Sequence, residues 1–358
     1  MGNLAKSFYL SETLLRILVA MSGGVDSSVA ALLLKRQGHD VVGATMKLWG
    51  GVSDSGCCSV ADVADARMVA NKIGIEHHVF NFTEEFEEKV VSHYVHSYAD
   101  GLTPNPCIEC NRSIKFDIFI DRAVRLGFDF VATGHYARVE ESGGKRRLMR
   151  GLDSNKDQSY VISMIGQSRL DRLMLPIGAM EKEKVRQIAS DAGLITAQKP
   201  DSQDVCFIAS TTSRVEFLSK RTKLTPAKVV ESGSGALLGE VESREVVTIG
   251  QRKGLGTLGD STRRYVVDVD TETNTVVMGR LEETYTETIR FGPVTFIGDA
   301  IEEGQRVEIQ TSAHGRITAA TFHGDHVIVD GTVRRVAAGQ TVAFYDGNCV
   351  LGSAVVAR

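Results

Sequence analysis

A glycine- and serine-rich loop near the start of the chain has the residue types of a phosphate site. Residues 22–28 read S-G-G-V-D-S-S, between an apolar run and a segment of helical pattern. Two glycines allow a tight turn, and backbone N–H groups at the following helix N-terminus would then face an anion. Asp26 would repel phosphate unless Mg²⁺ lay between them. The loop lacks the lysine of a Walker A motif and the spacing of a dinucleotide fingerprint. A glycine turn with a serine or aspartate cap is the alternative interpretation.

Cysteines supply a second candidate chemistry. Cys107 and Cys110 lie in the proline-rich segment T-P-N-P-C-I-E-C-N, and Cys206 follows 206 − 110 = 96 residues later. A predicted helix N-terminus and nearby basic residues favour a thiolate at Cys110. Three interpretations stay open: a nucleophilic thiol pair, an iron–sulfur cluster on all three cysteines, and a structural zinc site on Cys57, Cys58, Cys107 and Cys110. The zinc interpretation lacks the usual ligand spacing.

Alternating strand and helix patterns position these residues. Apolar residues run without interruption over residues 16–21, which is typical of a strand buried on both faces. The alternation that follows predicts right-handed crossovers and a doubly wound parallel sheet. The patterns predict strands at residues 16–21, 41–48, 78–82 and 130–133, and helices at residues 28–37, 61–73, 114–126, 158–165 and 182–192.

Short strands with turn signals replace this pattern after about residue 210. Strands are predicted at residues 246–249, 265–269, 275–278, 307–310, 317–322, 326–329, 341–345 and 350–356. We therefore expect two small β-rich domains after the α/β domain. The predicted boundaries are an N-terminal extension (1–14), an ATP-binding catalytic domain (15–209), a central β-rich domain (210–284) and a C-terminal β-barrel domain (285–358).

Composition excludes several classes of protein. With 42% apolar and 24% charged residues in 358, the chain resembles neither a disordered nor a fibrous protein. It has no apolar run long enough for a membrane span, and its first residues lack the features of a secretory signal. Six cysteines are too few for a disulfide scaffold and suit a reducing compartment, so we expect a cytoplasmic protein. The net charge of −4 gives no global attraction to nucleic acid.

Seven sequence blocks, in order, resemble the MnmA family of tRNA-specific 2-thiouridylases, which belongs to the PP-loop ATP pyrophosphatase superfamily. The blocks cover most of residues 16–280. They are A-M-S-G-G-V-D-S (20–27), T-P-N-P-C-I-E-C-N (103–111), I-K-F (114–116), A-T-G-H-Y (132–136), K-D-Q-S-Y (156–160), K-P-D-S-Q-D-V-C-F-I (199–208) and T-I-G-Q-R-K-G-L-G (248–256).

This resemblance implies both a fold and a reaction. The fold is a doubly wound parallel-sheet PP-loop domain (adenine nucleotide alpha hydrolase-like), followed by two small β-rich domains, the last a β-barrel. The reaction is 2-thiolation of the wobble uridine of tRNAs for Lys, Glu and Gln. ATP with Mg²⁺ adenylates the uridine C2 oxygen, a cysteine persulfide delivers sulfur, and AMP and pyrophosphate leave. The implied partners are tRNA and a persulfide-carrying sulfur donor protein, with no membrane, and a disulfide bond belongs to this chemistry.

The resemblance also implies roles for individual residues. Cys110 matches the nucleophile, and Cys206 matches the persulfide-bearing cysteine. The residues that match ATP-binding positions are Ala20, Met21, Ser22, Gly23, Gly24, Val25, Asp26, Ser27, Met46 and Gly134. The residues that match tRNA-binding positions are Asn105, Pro106, Cys107, His135, Lys156, Asp157, Gln158 and Gln340. The resemblance implies no metal ligand, and the iron–sulfur cluster on Cys107, Cys110 and Cys206 stays an interpretation of the cysteines themselves.

Some positions depart from the family or have other interpretations. Many members have Asp where this chain has Cys107, so a role for that carboxylate does not carry over. Residues 310–316 lack an Arg-Tyr pair that many relatives use on tRNA, and residues 241–247 lack the usual His and Gly. The alternative for His135 is a strand-end residue satisfied by backbone, and for Lys156 and Gln158 it is helix capping.

Two other functions compete with thiolation. An adenylating ligase for a small metabolite would use the phosphate loop but leave Cys110 and Cys206 without a role. A zinc-held RNA-binding module would need neither ATP nor a nucleophile. If tRNA is bound through scattered basic pairs, its affinity falls as salt is raised. These pairs and triplets lie at residues 145–147, 252–253, 263–264 and 334–335.

Overall fold

The computed structural model describes residues 14–49, 59–201, 207–208, 213–255 and 263–358. The elements up to residue 191 are, in chain order, β1 (Arg16–Ala20), α1 (Val25–Arg36), β2 (Asp40–Lys47), α2 (Val60–Ile73), β3 (Glu76–Asn81), α3 (Thr83–Phe86), α4 (His93–Ala99), α5 (Pro106–Glu109), α6 (Phe119–Arg125), β4 (Phe130–Ala132), β5 (Ala137–Ser142), β6 (Lys145–Arg150), α7 (Gln167–Leu170), β7 (Leu173–Met174) and α8 (Lys182–Asp191). Two π-helical stretches, Glu87–Ser92 and Cys110–Ile118, join α3 to α4 and α5 to α6.

A five-stranded parallel sheet orders these strands β3-β2-β1-β4-β7. Alternate residues of β1 enter two different buried clusters, Leu18 on one face and Ile17 and Val19 on the other. Helices therefore cover both faces, which explains why the sequence of β1 is apolar without interruption. The chain adds strands to one side of β1 and then crosses to β4 on the other side. In such sheets this reversal opens a crevice at the carboxyl ends of the two strands.

The predicted helix over residues 114–126 belongs to a longer helical run that starts at Pro106. Asn105 is its N-cap, and its side chain accepts hydrogen bonds from the N–H groups of Cys107 (3.1 Å) and Ile108 (3.3 Å). A proline at the first helical position fits because its missing N–H would have no helical partner there. The T-P-N-P-C segment is therefore a loop that is fixed directly to the start of a helix.

The predicted helix over residues 158–165 is wrong. Among these residues the structure has a single 3₁₀ turn, Tyr160–Ile162. The Asp157 carboxylate accepts from both the N–H (3.0 Å) and the hydroxyl (2.8 Å) of Ser159. A side chain that bonds the local backbone in this way competes with helix formation.

The central region begins with a short helix and continues as a four-stranded sheet. Its elements are α9 (Arg214–Ser219), β8 (Ala227–Glu231), β9 (Leu237–Val241), β10 (Tyr265–Asp270) and β11 (Thr275–Gly279), in the sheet order β10-β11-β8-β9. The predicted strand at residues 246–249 is wrong, since the chain there follows a 3₁₀ turn, Arg244–Val246. The Gln251 side chain accepts from the Thr248 N–H at 3.1 Å, which takes the place of a ladder partner.

The last region forms a larger sheet that also takes in a hairpin from the first domain. Its strands are β12 (Tyr285–Arg290), β13 (Thr295–Phe296), β14 (Arg306–Gln310), β15 (Thr318–Phe322), β16 (His326–Arg334), β17 (Thr341–Asp346) and β18 (Cys349–Val355). The order is β12-β16-β15-β14-β17-β18-β6-β5, with β13 beside β18. Cys349 of β18 pairs with Met149 of β6. The sequence did not predict the β5–β6 hairpin, which lies within residues 15–209, the range predicted for the catalytic domain, and thus connects that domain to the C-terminal sheet.

No helix in the described part of the chain has the length and apolar character needed to cross a bilayer.

Candidate functional site

The glycine-rich loop turns directly from β1 into α1. Gly23 has a φ of +73°, and a Cβ placed there would lie 2.3 Å from the Asp62 carbonyl oxygen of α2. Gly24 is the N-cap of α1 and has no side chain to cap the helix. The first N–H groups of α1 therefore have no N-cap side chain, which makes this helix end suitable for an anion.

The serines of the loop differ in their surroundings. Ser27 Oγ accepts from the Ser22 N–H and donates to the Gly24 carbonyl, both at 3.2 Å. Ser28 is fully buried; its hydroxyl donates to Gly24 O at 2.7 Å and accepts from Thr196 at 3.1 Å. Ser27 and Ser28 thus hold the loop in shape, and Ser22 is exposed.

Asp26, the carboxylate of this loop, is held by two partners that the sequence did not point to. The Tyr136 hydroxyl donates to it at 2.7 Å, and Lys182 Nζ lies 2.8 Å from both carboxylate oxygens. Burial, together with the nearby Asp26 charge, raises the pKa of Tyr136 well above its ordinary value. Lys182 is the first residue of α8, which packs against α1, and it is only 6% exposed.

Asp201 extends this cluster toward the K-P-D-S-Q-D-V-C segment. Its carboxylate lies 2.8 Å from both Lys156 Nζ and Lys182 Nζ, and 3.1 Å from Arg186. Burial raises the pKa of Asp201, but hydrogen bonds from Lys156 and Lys182 outweigh it and lower that pKa to about 2. Residues 199–201 therefore lie beside the phosphate loop. Cys206, a few residues further on, lies outside the described residues, as do Cys57 and Cys58.

The residues expected at the adenosine lie on either side of β1. Met46 is 8% exposed on β2, and Ala20 and Met21 are also buried. Gly134 follows β4, and a Cβ placed on it would lie 2.6 Å from the Ser27 backbone nitrogen. The predicted ATP-binding residues thus lie at the carboxyl ends of β1, β2 and β4, although their contacts with ATP stay a prediction.

The two described cysteines of the thiol loop have different environments. Cys107 is exposed, whereas Cys110 is 7% exposed and belongs to the same buried cluster as Ala20 and Met46. Neither is in a disulfide with another described cysteine. Within the described residues no group of three or more His, Cys, Asp or Glu side chains forms a metal site. A cluster that also uses Cys206 extends beyond those residues.

Several residues predicted to contact tRNA make internal contacts here. His135 is 9% exposed, its Nδ1 lies 2.7 Å from the Thr133 hydroxyl, and burial, with the nearby Lys115 charge, lowers its pKa to about 3. The hydrogen-bond partner of His135 is thus a side chain, whereas the alternative interpretation predicted a backbone group. The Gln158 side chain accepts from the Tyr136 N–H at 2.9 Å. Asp157 accepts from Arg150 at 3.2 Å, so its carboxylate is already paired.

Gln340 lies in a second group, at a junction between domains. Its side chain donates to the Thr103 carbonyl at 2.6 Å, and the Thr103 N–H donates to Ala338 O at 2.7 Å. The C-terminal domain is thereby attached two residues before Asn105, at the start of the thiol loop. The tRNA contacts of Asn105, Pro106, Cys107, His135, Lys156, Asp157, Gln158 and Gln340 stay predictions.

The basic pairs and the basic triplet include both residues that form internal ion pairs and residues that are exposed. Lys145 and Arg147 both pair with Asp299, so this triplet connects the β5–β6 hairpin to the C-terminal domain. Arg264 pairs with Glu231 at 3.0 Å. The exposed members are Arg252, Lys253, Arg263, Arg334 and Arg335.

Comparison with known proteins gives matches over nearly the whole chain. Three family models match in order: the tRNA methyl transferase HUP domain (residues 15–210), the tRNA methyl transferase PRC-barrel domain (215–280) and the Aminomethyltransferase beta-barrel domain (286–356). The tRNA-specific 2-thiouridylase MnmA of Clostridioides difficile is 41% identical, over 96% of this chain and 98% of the relative. The chain belongs to the MnmA family. The MnmA of Mycobacteroides abscessus is 43% identical, over 96% of this chain and 100% of its own length.

Membership of the MnmA family confirms the resemblance, and the match includes the β-rich domains as well as the α/β domain. The predicted fold class, a parallel α/β domain followed by β-rich domains, is also confirmed. In the described residues the sheet of the last domain runs as an open path from β12 to β5. A solved structure of the U34-tRNA thiolase NcsA from Methanococcus maripaludis with its 4Fe-4S cluster is 17% identical, over 58% of this chain and 64% of that chain. Its TM-score is 0.38.

Proposed function

We propose that this chain is an ATP-dependent tRNA 2-thiouridylase that acts on the wobble uridine of tRNAs for Lys, Glu and Gln. The observation that carries the proposal is the position of Cys110. It belongs to the same extended buried core as Ala20 and Met46, so the thiol lies in the domain that carries the nucleotide crevice, which supports a thiol and an adenylating site in one enzyme. A small-molecule ligase would need the crevice but not the thiol.

The first step activates the uridine. Its C2 oxygen attacks the α-phosphorus of ATP, the bond from that phosphorus to the bridging oxygen breaks, and pyrophosphate leaves. The oxygen, a poor leaving group in uridine, thereby becomes part of AMP, which leaves readily. The α1 N-terminus supplies N–H groups for the phosphates. The partly exposed Asp26 carboxylate fits a hard cation, and Mg²⁺ there would neutralise phosphate charge.

The second step transfers sulfur through two cysteines. A donor protein delivers sulfur to Cys206 as a persulfide. The Cys110 thiolate attacks the Cys206 sulfur, and the released sulfur carries its electron pair to the uridine C2. AMP then leaves, and a Cys110–Cys206 disulfide remains, which an external thiol reduces. We place this reaction in the cytoplasm, where ATP, tRNA and reducing thiols occur together.

Rigid loop geometry supports the placement of the target base. Asn105 caps the helical run, and Pro106 restricts the chain just before the exposed Cys107. A wobble base turned out of its stack would meet this loop, whose end is capped onto the helical run by Asn105. Lys156 and Gln158 are connected to the phosphate loop through Asp201 and Tyr136, so RNA bound there would lie beside the nucleotide.

The test is mass spectrometry of nucleosides from unmodified tRNA incubated with the protein, ATP, Mg²⁺ and a persulfide source. We expect 2-thiouridine with the wild type and with the matched control Cys349→Ser, and none with Cys110→Ser or Cys206→Ser. If the anaerobic wild type makes no 2-thiouridine, the proposal is wrong. A methylated uridine product would instead indicate a tRNA methyltransferase, the activity named in two of the matching family models.

An iron–sulfur cluster on Cys107, Cys110 and Cys206 is the second candidate for the sulfur chemistry. It is favoured by the placement of Cys107 and Cys110 one turn apart at the start of the same helical run. The two-thiol relay does not need Cys107, whereas the cluster does. Iron and sulfide are measured in anaerobically purified protein, and activity is measured in Cys107→Ser. Full activity of this variant without iron supports the relay, and loss of both iron and activity supports the cluster.

A further inference from the structure

We propose that Lys182 is a further residue of the nucleotide site and that its ammonium group binds the β- and γ-phosphates, the pyrophosphate half of ATP. This inference rests on the proposed function, since it assumes that ATP occupies the crevice between β1 and β4. The glycine-rich loop contains no lysine of its own. The fold supplies one from α8, 156 residues away along the chain.

The placement of Lys182 is the first support. Its Nζ lies 2.8 Å from both oxygens of Asp26, and Asp26 is the second residue of α1. The ammonium group therefore lies beside the helix end that receives the phosphates. The Lys182 side chain is only 7% exposed, so it is held near this position before any ligand arrives.

The charge balance around Lys182 is the second support. Asp201 also contacts Lys182, but Lys156 and Arg186 pair with Asp201 as well. The positive charge of Lys182 therefore mainly compensates the negative charge of Asp26. Without Lys182 or a bound Mg²⁺, an uncompensated carboxylate would stand at the entrance of a site for a polyanion, where its repulsion in a partly buried setting would be strong.

The Lys182 ammonium group can bind a phosphate and an aspartate carboxylate at the same time. It has three N–H donors, and transfer of one donor from Asp26 to a phosphate oxygen leaves the contact with Asp201 in place. When the bond between the α-phosphorus and the bridging oxygen breaks, one more negative charge develops on pyrophosphate. Lys182 would stabilise that charge electrostatically.

Binding of ATP and AMP to the full chain, measured by calorimetry without tRNA, tests this proposal. Lys182→Met is expected to weaken ATP binding at least about tenfold and AMP binding less than about twofold, because AMP lacks the two phosphates. Lys182→Arg keeps the charge and is expected to retain most of the preference for ATP. Lys184→Met is the matched control, since it removes the charge of an exposed lysine on the same helix, and its preference for ATP should equal that of the wild type.

Equal weakening of ATP and AMP by Lys182→Met would overturn the proposal and make Lys182 a purely structural residue. The proposal also fails if ATP binding does not change. If Lys182→Met fails to fold, Lys182→Arg and Lys182→Gln at matched stability give the same comparison, and equal ATP preference in the two would overturn the proposal. These results do not test the proposed function itself. That function fails only if the wild-type protein makes no 2-thiouridine, whatever its affinity for nucleotides.

Discussion

His135 shows how burial near the crevice sets the charge of a single residue. Burial, reinforced by the nearby Lys115 charge, lowers its pKa to about 3, whereas an unfolded chain would have a value near 6.5. Below pH 6.5 the unfolded state therefore binds more protons than the folded state. The free energy of unfolding must then rise with pH between about 3 and 6.5 and level off above that range.

We predict that His135 makes the protein less stable at pH 5 than at pH 7 by roughly 2 kcal/mol, which corresponds to one and a half pKa units. His135→Gln should remove most of this difference, whatever its effect at pH 7. The measurement is urea unfolding at the two pH values. The control is His96→Gln, an exposed position. The same pH difference in wild type and His135→Gln would contradict the prediction.

Sequence reasoning identified the odd residue of the phosphate loop but not its partners. Asp26 is unusual in such a loop because a carboxylate repels phosphate unless another charge compensates it. Its partners Tyr136 and Lys182 are 110 and 156 residues away, and no local pattern marks a lysine that will be buried. Such pairing depends on how α8 packs on α1, which is a property of the fold.

At the scale of elements, the close approach of the β4 end to the α1 N-terminus shapes the crevice. A Cβ on Gly134 would lie 2.6 Å from the Ser27 nitrogen and 2.7 Å from the Asp26 carbonyl carbon. These are backbone atoms of α1, which cannot move away as a flexible side chain would. The glycine at this position is therefore explained by packing alone, independently of any contact with adenosine.

We predict that Gly134→Ala displaces the phosphate loop and weakens ATP binding at least about tenfold, consistent with an overpacking cost of roughly 1–3 kcal/mol. Calorimetric titration with ATP measures the effect. Gly292→Ala is the control, because a Cβ there would meet its nearest neighbour, Val355 O, at 3.9 Å. Unchanged ATP affinity in Gly134→Ala would show that the loop tolerates the extra methyl group.

The elements themselves were predictable where hydrophobic pattern decided them. The buried strands β1 and β2 and the helices α1 and α2 follow from apolar runs and their period. The errors came where side chains replace backbone partners, as Asp157 does in the predicted helix at 158–165 and Gln251 does in the predicted strand at 246–249. Periodicity carries no information about such bonds, because they satisfy the backbone without producing a repeat.

At the scale of the whole molecule, both β-rich domains hold the segment just before the thiol loop. Arg244 of the central domain donates to Ala99 O at 3.1 Å, and Arg358 donates to Asp100 O. Gln340 donates to Thr103 O at 2.6 Å. The position of Asn105 and Cys107 thus depends on contacts from domains that lie far away in sequence.

We predict that Gln340→Ala raises KM for tRNA roughly threefold to tenfold and leaves ATP affinity unchanged, since one hydrogen bond of about 0.5–1.5 kcal/mol is lost. Hydrogen exchange at residues 99–105 should also increase in the absence of tRNA, which loss of a direct RNA contact would not cause. Gln187→Ala, at an exposed position on α8, is the control. Unchanged exchange in Gln340→Ala would disprove the positioning role.

The pairing of β6 with β18 has a consequence for biosynthesis. Met149 and Cys349 are 349 − 149 = 200 residues apart. At a synthesis rate of about 5–20 residues per second, β6 waits roughly 10–40 s on the ribosome before its neighbour exists. During that interval one side of the β5–β6 hairpin presents unpaired N–H and C=O groups, which are a template for another chain. Translational stalling within those 200 residues would therefore leave the nascent catalytic domain open to aggregation.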